Sequence, residues 1–350
     1  MFTKLEIAVV VIVLSVLSAC SPLYVIRAGY EEAKILSRRE PITELVRDTT
    51  VPRERREKLE MVLEVRAFAN DVLELEVGDS YTTFSQLDSD TLALVLSASR
   101  KDRFEAYTWW FPIIGDVPYK GFFSEDDARD AIADLEEQGY DTYLRPTAAF
   151  STLGWFNDPL VSTLLRYDSV SLANTVIHEL FHNTLYLAGS AAFNESLANF
   201  VGARGAIAFF CGRPELQDNC DLARAAWRDE LIFGRFLSDL VRKLETLYGR
   251  EDLSRAQKLV LREEIFAHAQ RRFRDEVQPS FEVSTFASFA RTPLNNATLI
   301  SRRLYYHRLD LFERVFGAYG RDLVATLGAV LEVASGSDRP YEAVEALVGG

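Results

Sequence analysis

Only four histidines occur in the 350 residues, and two of them stand in the run His178-Glu179-Leu180-Phe181-His182. The surrounding LANTVIHELFHNTLYLAG has an apolar spacing that predicts a helix ending at Gly189. On such a helix the first and fifth residues share a face, so both imidazoles reach one metal ion about 2.0 to 2.1 Å from each nitrogen. Glu179 then lies about 100° round the helix, where it addresses a water on that metal without ligating it. A catalytic zinc site takes three protein ligands and leaves the fourth position to water. Glu195 is the expected third ligand. Phe193-Asn194-Glu195-Ser196-Leu197-Ala198 opens the next predicted helix, twelve residues separate His182 from Glu195, and Gly189 inside that gap lets the chain turn back. Asn199, one turn further on, is expected to accept the ring N–H of a zinc histidine and so fix its tautomer. His268 and His307 have no such partners and read as ordinary polar side chains.

With Zn2+ in place the chemistry is hydrolytic. Zinc lowers the pKa of a bound water to about 7. Glu179 would take the proton as that water attacks a carbonyl and pass it to the leaving group. The developing oxyanion needs a further donor besides the metal.

These residues have to be positioned by helices. Amphipathic helices are expected between Glu31 and Leu75, broken at Pro41 and near Thr49 to Pro52, with Arg56 to Leu73 the clearest of them. After Asp79-Ser80 the texture favours strands, with aromatic runs at Tyr107 to Pro112 and Val117 to Phe123. A helix from Asp127 to Gln138, started by Ser124, precedes a strand at Tyr140 to Leu144. From Ala173 onward the chain reads as helix, including Glu195 to Phe210, Leu222 to Tyr248, Leu253 to Val277 and Tyr319 to Ala334. The expected class is α+β and predominantly helical, a small sheet over about residues 80 to 160 preceding a helical half. The organisation is then a leader at 1–19, N-terminal helices plus a small mixed sheet at 20–160, and a helical half at 161–350 that forms one continuous unit with it.

The N-terminus carries an address. Ile7 to Ala19 is a thirteen-residue uncharged run, the length of a signal-peptide core and short of the roughly 20 apolar residues a span needs. Leu17-Ser18-Ala19-Cys20 resembles the lipobox of bacterial lipoproteins, which makes Cys20 the lipidated first residue of a chain held on the bacterial envelope and facing the periplasm, at the outer membrane rather than the inner. A signal anchor running on through Ile26 is the competing reading, weakened by Pro22. Removing residues 1–19 takes away one Lys and one Glu, so the mature chain keeps the net charge of -13, the wrong sign for neutralising phosphates; nucleic acid is not an expected partner. Outside the cytoplasm, Cys211 and Cys220 are expected to close the short GRPELQDN loop as a disulfide.

H-E-x-x-H followed by N-E resembles the gluzincin metallopeptidases. The wider set of Arg38 to Val46, F-P-x-x-G-x-V-P-Y-x-G within Trp109 to Phe123, STLGWFNDP from Ser151 to Pro159, His178 to Val201, and Asn295-Asn296-Ala297 leading to Tyr305-Tyr306 resembles a bacterial family named for putative aminopeptidases, usually lipoproteins. Members of that family often carry a cysteine pair at the positions of Trp110 and Asp116, which this sequence lacks. The resemblance implies a zinc-dependent peptidase acting on peptide substrates. It implies an oxyanion donor beyond the ligands, for which Tyr305 is the first choice among Tyr305, Tyr306 and His307. It also implies a cleft wall before the metal helix, where Gly154 would admit a peptide backbone and Trp155 or Phe156 would wall a side-chain pocket, and an acidic group to hold the substrate's α-amine, for which Asp158 is one candidate among the chain's many acidic residues. A rival from another class is an envelope scaffold or binding lipoprotein with a structural or vestigial metal site. It has no use for Glu179 and offers no obvious fourth ligand.

Overall fold

In the computed structural model of the chain, residues 22–111, 115–147 and 157–349 are described. Cys20, Gly154, Trp155 and Phe156 lie outside them. Three helices come first: α1 (Pro22–Ser37), α2 (Ile42–Arg47) and α3 (Arg53–Asp71). Pro41 and Pro52 stand immediately before α2 and α3, where a ring that fixes φ and lacks an N–H starts a helix at no cost. The buried residues of α3 are Leu59, Val62, Val65 and Ala69, three or four apart, which makes one apolar face.

The single small sheet expected over residues 80 to 160 is three sheets. One runs in the order β1 (Glu40–Pro41), β2 (Thr83–Ser85), β8 (Leu160–Val161), with β2 and β8 parallel. The second is antiparallel, with β3 (Ala93–Arg100) between β6 (Lys120–Phe122) and β7 (Tyr140–Thr147). The third is a hairpin of β4 (Trp109–Phe111) and β5 (Gly115–Val117), in which Trp110 and Asp116 are directly opposed. The two positions where the resembling family often has cysteines are therefore cross-strand neighbours. Helix α4 (Glu125–Glu137) starts at Ser124, whose hydroxyl accepts from the Asp127 N–H, and packs Ala128 and Leu135 against Leu96, Ala98 and Phe122 of the second sheet.

The rest is helical: α5 (Ser169–Thr184), α6 (Ala191–Cys211), α7 (Gln217–Tyr248), α8 (Arg255–Arg272), α9 (Ala287–Arg291), α10 (Asn296–Tyr306), α11 (Leu309–Ala318), α12 (Leu323–Ala334) and α13 (Pro340–Ala346). Cys211 at the end of α6 is bonded to Cys220 in α7. The expected helix over Tyr319 to Ala334 begins only at Leu323, because Gly320 and Arg321 take left-handed backbone and Asp322 caps the helix from outside. The largest core is continuous from Ile35 of α1 to Val344 of α13, so the N-terminal helices and the histidine-bearing helix share one interior. A second core, built on Phe233, Phe236, Phe273 and Phe289, joins α7, α8 and α9. Among the described residues no helix is long and apolar enough to cross a membrane.

Candidate metal centre

The H-E-x-x-H run occupies the last half of α5, a helix capped by the Asp168 carboxylate on the Ser171 N–H. This helix stops at Thr184 instead of continuing to Gly189. Leu185 turns extended and is buried, and the backbone N–H and C=O of Leu187 are both taken by the side chain of Asn194. The amide of Asn194 thus clamps the short connection, Gly189 adopts its left-handed conformation within it, and α6 starts four residues earlier than its sequence suggests. Glu195 follows the clamp directly.

Helix α6 can approach α5 closely because of two glycines. A Cβ on Gly202 would stand 2.4 Å from Asn174 Oδ1, 2.7 Å from the Asn174 carbonyl oxygen and 3.1 Å from His178 Cβ, and one on Gly205 would meet Ile177 and Leu73 at 3.0 Å. Gly202 lies seven residues after Glu195, on the same face of α6. Gly202→Ala should therefore lower stability by roughly 1–3 kcal/mol, as overpacking against backbone does, and weaken metal binding by displacing Glu195 from the histidines. Gly328 of α12 provides the contrast, since a Cβ added there would meet nothing within 4 Å: Gly328→Ala should be neutral or stabilising. Thermal melts and metal titrations of the two variants check the pair; equal behaviour would contradict the close-approach argument.

His178 and His182 are 8% and 5% exposed, and their rings meet edge to face at 5.0 Å. Glu195 Oε2 lies 3.4 Å from His178 Nε2 and 3.8 Å from His182 Nε2. These separations are long for charge-assisted hydrogen bonds, which run about 2.7–2.9 Å. They suit two ligand atoms that each sit about 2.0–2.1 Å from a tetrahedral ion, about 3.3 Å apart. The ligand atoms of all three residues lie within 4.8 Å of one another, the one such group of histidine, cysteine and carboxylate among the described residues. By donor chemistry and spacing they fit zinc. Burial alone would push the Glu195 carboxyl up, but the two imidazoles outweigh it and hold the group well below the usual carboxylate range, so it stands as an anion. Glu179 shows the opposite balance. Burial raises its carboxyl, His178 and His182 pull it partly back, and Glu195 and Asp158 add to the rise. A base raised toward neutrality is the kind that can both take and return a proton.

Asn199 does not take the expected place. Its Nδ2 donates to Glu230 Oε2 at 2.9 Å and to the Tyr305 carbonyl at 3.2 Å, because α7 and α10 pack over that face of α6 and draw the amide between them. His182 Nδ1 is buried without a partner among the described residues. Glu230 is pushed up to about 7, chiefly by burial, against the Asn199 hydrogen bond and with Asp229 adding to the rise.

Of the Tyr305, Tyr306 and His307 cluster, Tyr305 is the member that faces the histidines, its ring centroid 6.1 Å from that of His178. Tyr306 packs on Phe233 and Phe286 in the second core, and His307 lies against Tyr341 with its Nδ1 accepting from Arg303. Tyr119, from the V-P-Y run, is close enough to Glu195 and Tyr305 that both oppose its ionisation, after burial. Asp158 is 5% exposed and raises both Glu179 and Glu32, and Glu32 is pushed up to about 7 mainly by burial. Arg145 of β7 donates to the Tyr305 hydroxyl at 3.1 Å. Arg145, Tyr119 and Glu230 escape sequence reasoning, because nothing local marks a residue 160 positions from its partner, as Arg145 is from Tyr305. Gly202 and Gly205 do leave a mark: two glycines in an otherwise unbroken helix usually have a packing reason.

Compared with known proteins, residues 23–344 match a family model described as "Putative aminopeptidase". No curated protein and no solved structure matches the chain.

Proposed function

The chain belongs to the "Putative aminopeptidase" family, and from that membership we propose that it is a zinc-dependent peptidase that removes N-terminal residues from peptides. The observation that carries the reading is the convergence of His178, His182 and Glu195 within 4.8 Å beside a half-buried glutamate, Glu179, on the same helix as the histidines. His178, His182 and Glu195 would hold the ion. Zinc, when bound, supplies Lewis acidity that brings the pKa of a water at the site to about 7.

The chain's own groups do the rest. Glu179 takes a proton from the attacking water and returns it to the amine nitrogen as the peptide bond breaks. Tyr305 gives a hydrogen bond to the carbonyl oxygen as negative charge builds on it. Asp158, near enough to Glu179 and Glu32 to oppose the ionisation of both, is the proposed anchor for the substrate's α-ammonium. Gly154 and Trp155 remain proposed as cleft residues.

Peptides with a free N-terminus are expected to be cleaved one residue at a time and their N-acetylated counterparts to resist. Chromatography of the products checks this; cleavage of acetylated peptides at internal bonds would overturn the aminopeptidase assignment and leave the zinc chemistry standing. We also propose that the mature chain begins at a lipidated Cys20 on the bacterial envelope, facing the periplasm. Mass spectrometry of the N-terminal peptide should find acyl groups on Cys20, and an intact Met1 would show an uncleaved anchor instead.

A further inference from the structure

Arg145 sits on β7, where its backbone is paired opposite Val95 of β3, and its side chain reaches across to α10. Nη2 lies 3.1 Å from the Tyr305 hydroxyl and Nε lies 3.3 Å from Ser301 Oγ, one helical turn earlier. The guanidinium carbon stands 5.5 Å from the centre of the Tyr305 ring. One arginine thus grips two points on the same face of the helix that carries the phenol.

The direction of the Tyr305 bond is fixed by chemistry. A guanidinium has donors and no acceptor, so Arg145 donates and the phenol oxygen accepts. The phenol's own proton must then point away from Arg145, and among the described hydrogen bonds it has no acceptor. A half-buried O–H whose oxygen accepts from a cation keeps its proton on the side away from that cation, free to donate there. The cation also strengthens it, since hydrogen bonds in a chain polarise one another and charge on the first makes the next a better donor.

We propose, on the basis of the peptidase reading above, that Arg145 is a positioning residue that turns the Tyr305 hydroxyl proton toward the oxygen gaining charge in the reaction. Arg145 itself does not touch the substrate. Its fork explains why arginine occupies the position: Nη2 serves the phenol while Nε anchors the group on Ser301, which a lysine ammonium cannot do with the same geometry.

The test is a double-mutant cycle in the full mature chain loaded with zinc: wild type, Tyr305→Phe, Arg145→Met and both together, assayed for kcat and KM on a free-amine peptide. Tyr305→Phe should lower kcat on the order of 10²-fold with little change in KM, as loss of one oxyanion donor does. Arg145→Met should lower kcat by about tenfold or more, again with KM little changed, and should cost nothing further once Tyr305 is Phe. Arg145→Lys, which keeps a donor, should recover part of the loss.

A second readout does not use turnover. In a Glu179→Gln background, calorimetric affinity for a phosphinic peptide, which presents a tetrahedral anion, should fall in each single variant and no further in the double. If the losses multiply, or if Arg145→Met raises KM and leaves kcat alone, Arg145 binds substrate directly and the proposal is wrong. Should Arg145→Met fail to fold, Arg145→Gln or Arg145→Ala, neither of which brings a cation to the phenol, replaces it in the same cycle. Failure of the peptidase reading would look different: no hydrolysis by wild type at all.

Discussion

Glu195→Ala is expected to abolish stoichiometric zinc binding, as are His178→Ala and His182→Ala. Each removes one of three ligand atoms from a group in which all lie within 4.8 Å. Glu195 contributes more than geometry, because it is the anion of the set, held ionised by the two imidazoles in spite of its burial. Without it two nearly buried histidines would face the ion with no negative charge to offset it. The loss should far exceed the tenfold to hundredfold typical of a change in a supporting residue. Asn199→Ala gives the baseline, since the Asn199 amide donates to Glu230 and the Tyr305 carbonyl instead of supporting a ligand, and should leave zinc binding nearly unchanged. Metal analysis after equilibrium dialysis measures both, and a fully zinc-loaded Glu195→Ala would remove that residue from the ligand set.

Glu179→Gln should separate the metal from the chemistry. The amide is nearly the same shape as the carboxylate, so zinc binding and fold are expected to persist, while hydrolysis falls by about 10²- to 10⁴-fold, the usual worth of general acid–base assistance. Stability gives a second, independent expectation. Burial disfavours the charged form of Glu179, and the carboxyls of Glu195 and Asp158 add to that penalty, so replacing the carboxylate with a neutral amide at neutral pH should leave the melting temperature unchanged or raise it. A variant that keeps its zinc, melts no lower and retains full activity would overturn the role of Glu179.

Much of the site is legible in the sequence because it is local. The spacing of His178, Glu179 and His182 is set by the geometry of one helix, and Glu195 follows within one turn-back of the chain. What the sequence does not carry is how that turn-back is held. The early stop of α5 at Thr184 depends on Leu185 finding a buried place and on Asn194 bonding the backbone of Leu187, tertiary events that override a helical pattern running to Gly189. The sheets are less legible for the same kind of reason. β3 buries two serines, Ser97 and Ser99, beside Leu96 and Ala98, so it shows no clean apolar–polar alternation, and β1 and β8 are two residues long each, so pairing partners far along the chain define them more than their own composition does. Asn199 lies on the expected helix, but α7 and α10 pack over it and use its amide elsewhere. Arg145 belongs with these non-local features. Its meeting with Tyr305 depends on β7 pairing with β3 and on α10 crossing that sheet.

If His178, His182 and Glu195 hold a zinc that hydrolyses peptides, activity must follow the metal. Hydrolysis of a free-amine peptide library by the purified chain can be followed before chelation, after removal of metal, and after adding back one equivalent of zinc. Cleavage should disappear with the metal and return with that single equivalent. Cleavage that continues undiminished in the metal-free protein would contradict the zinc mechanism.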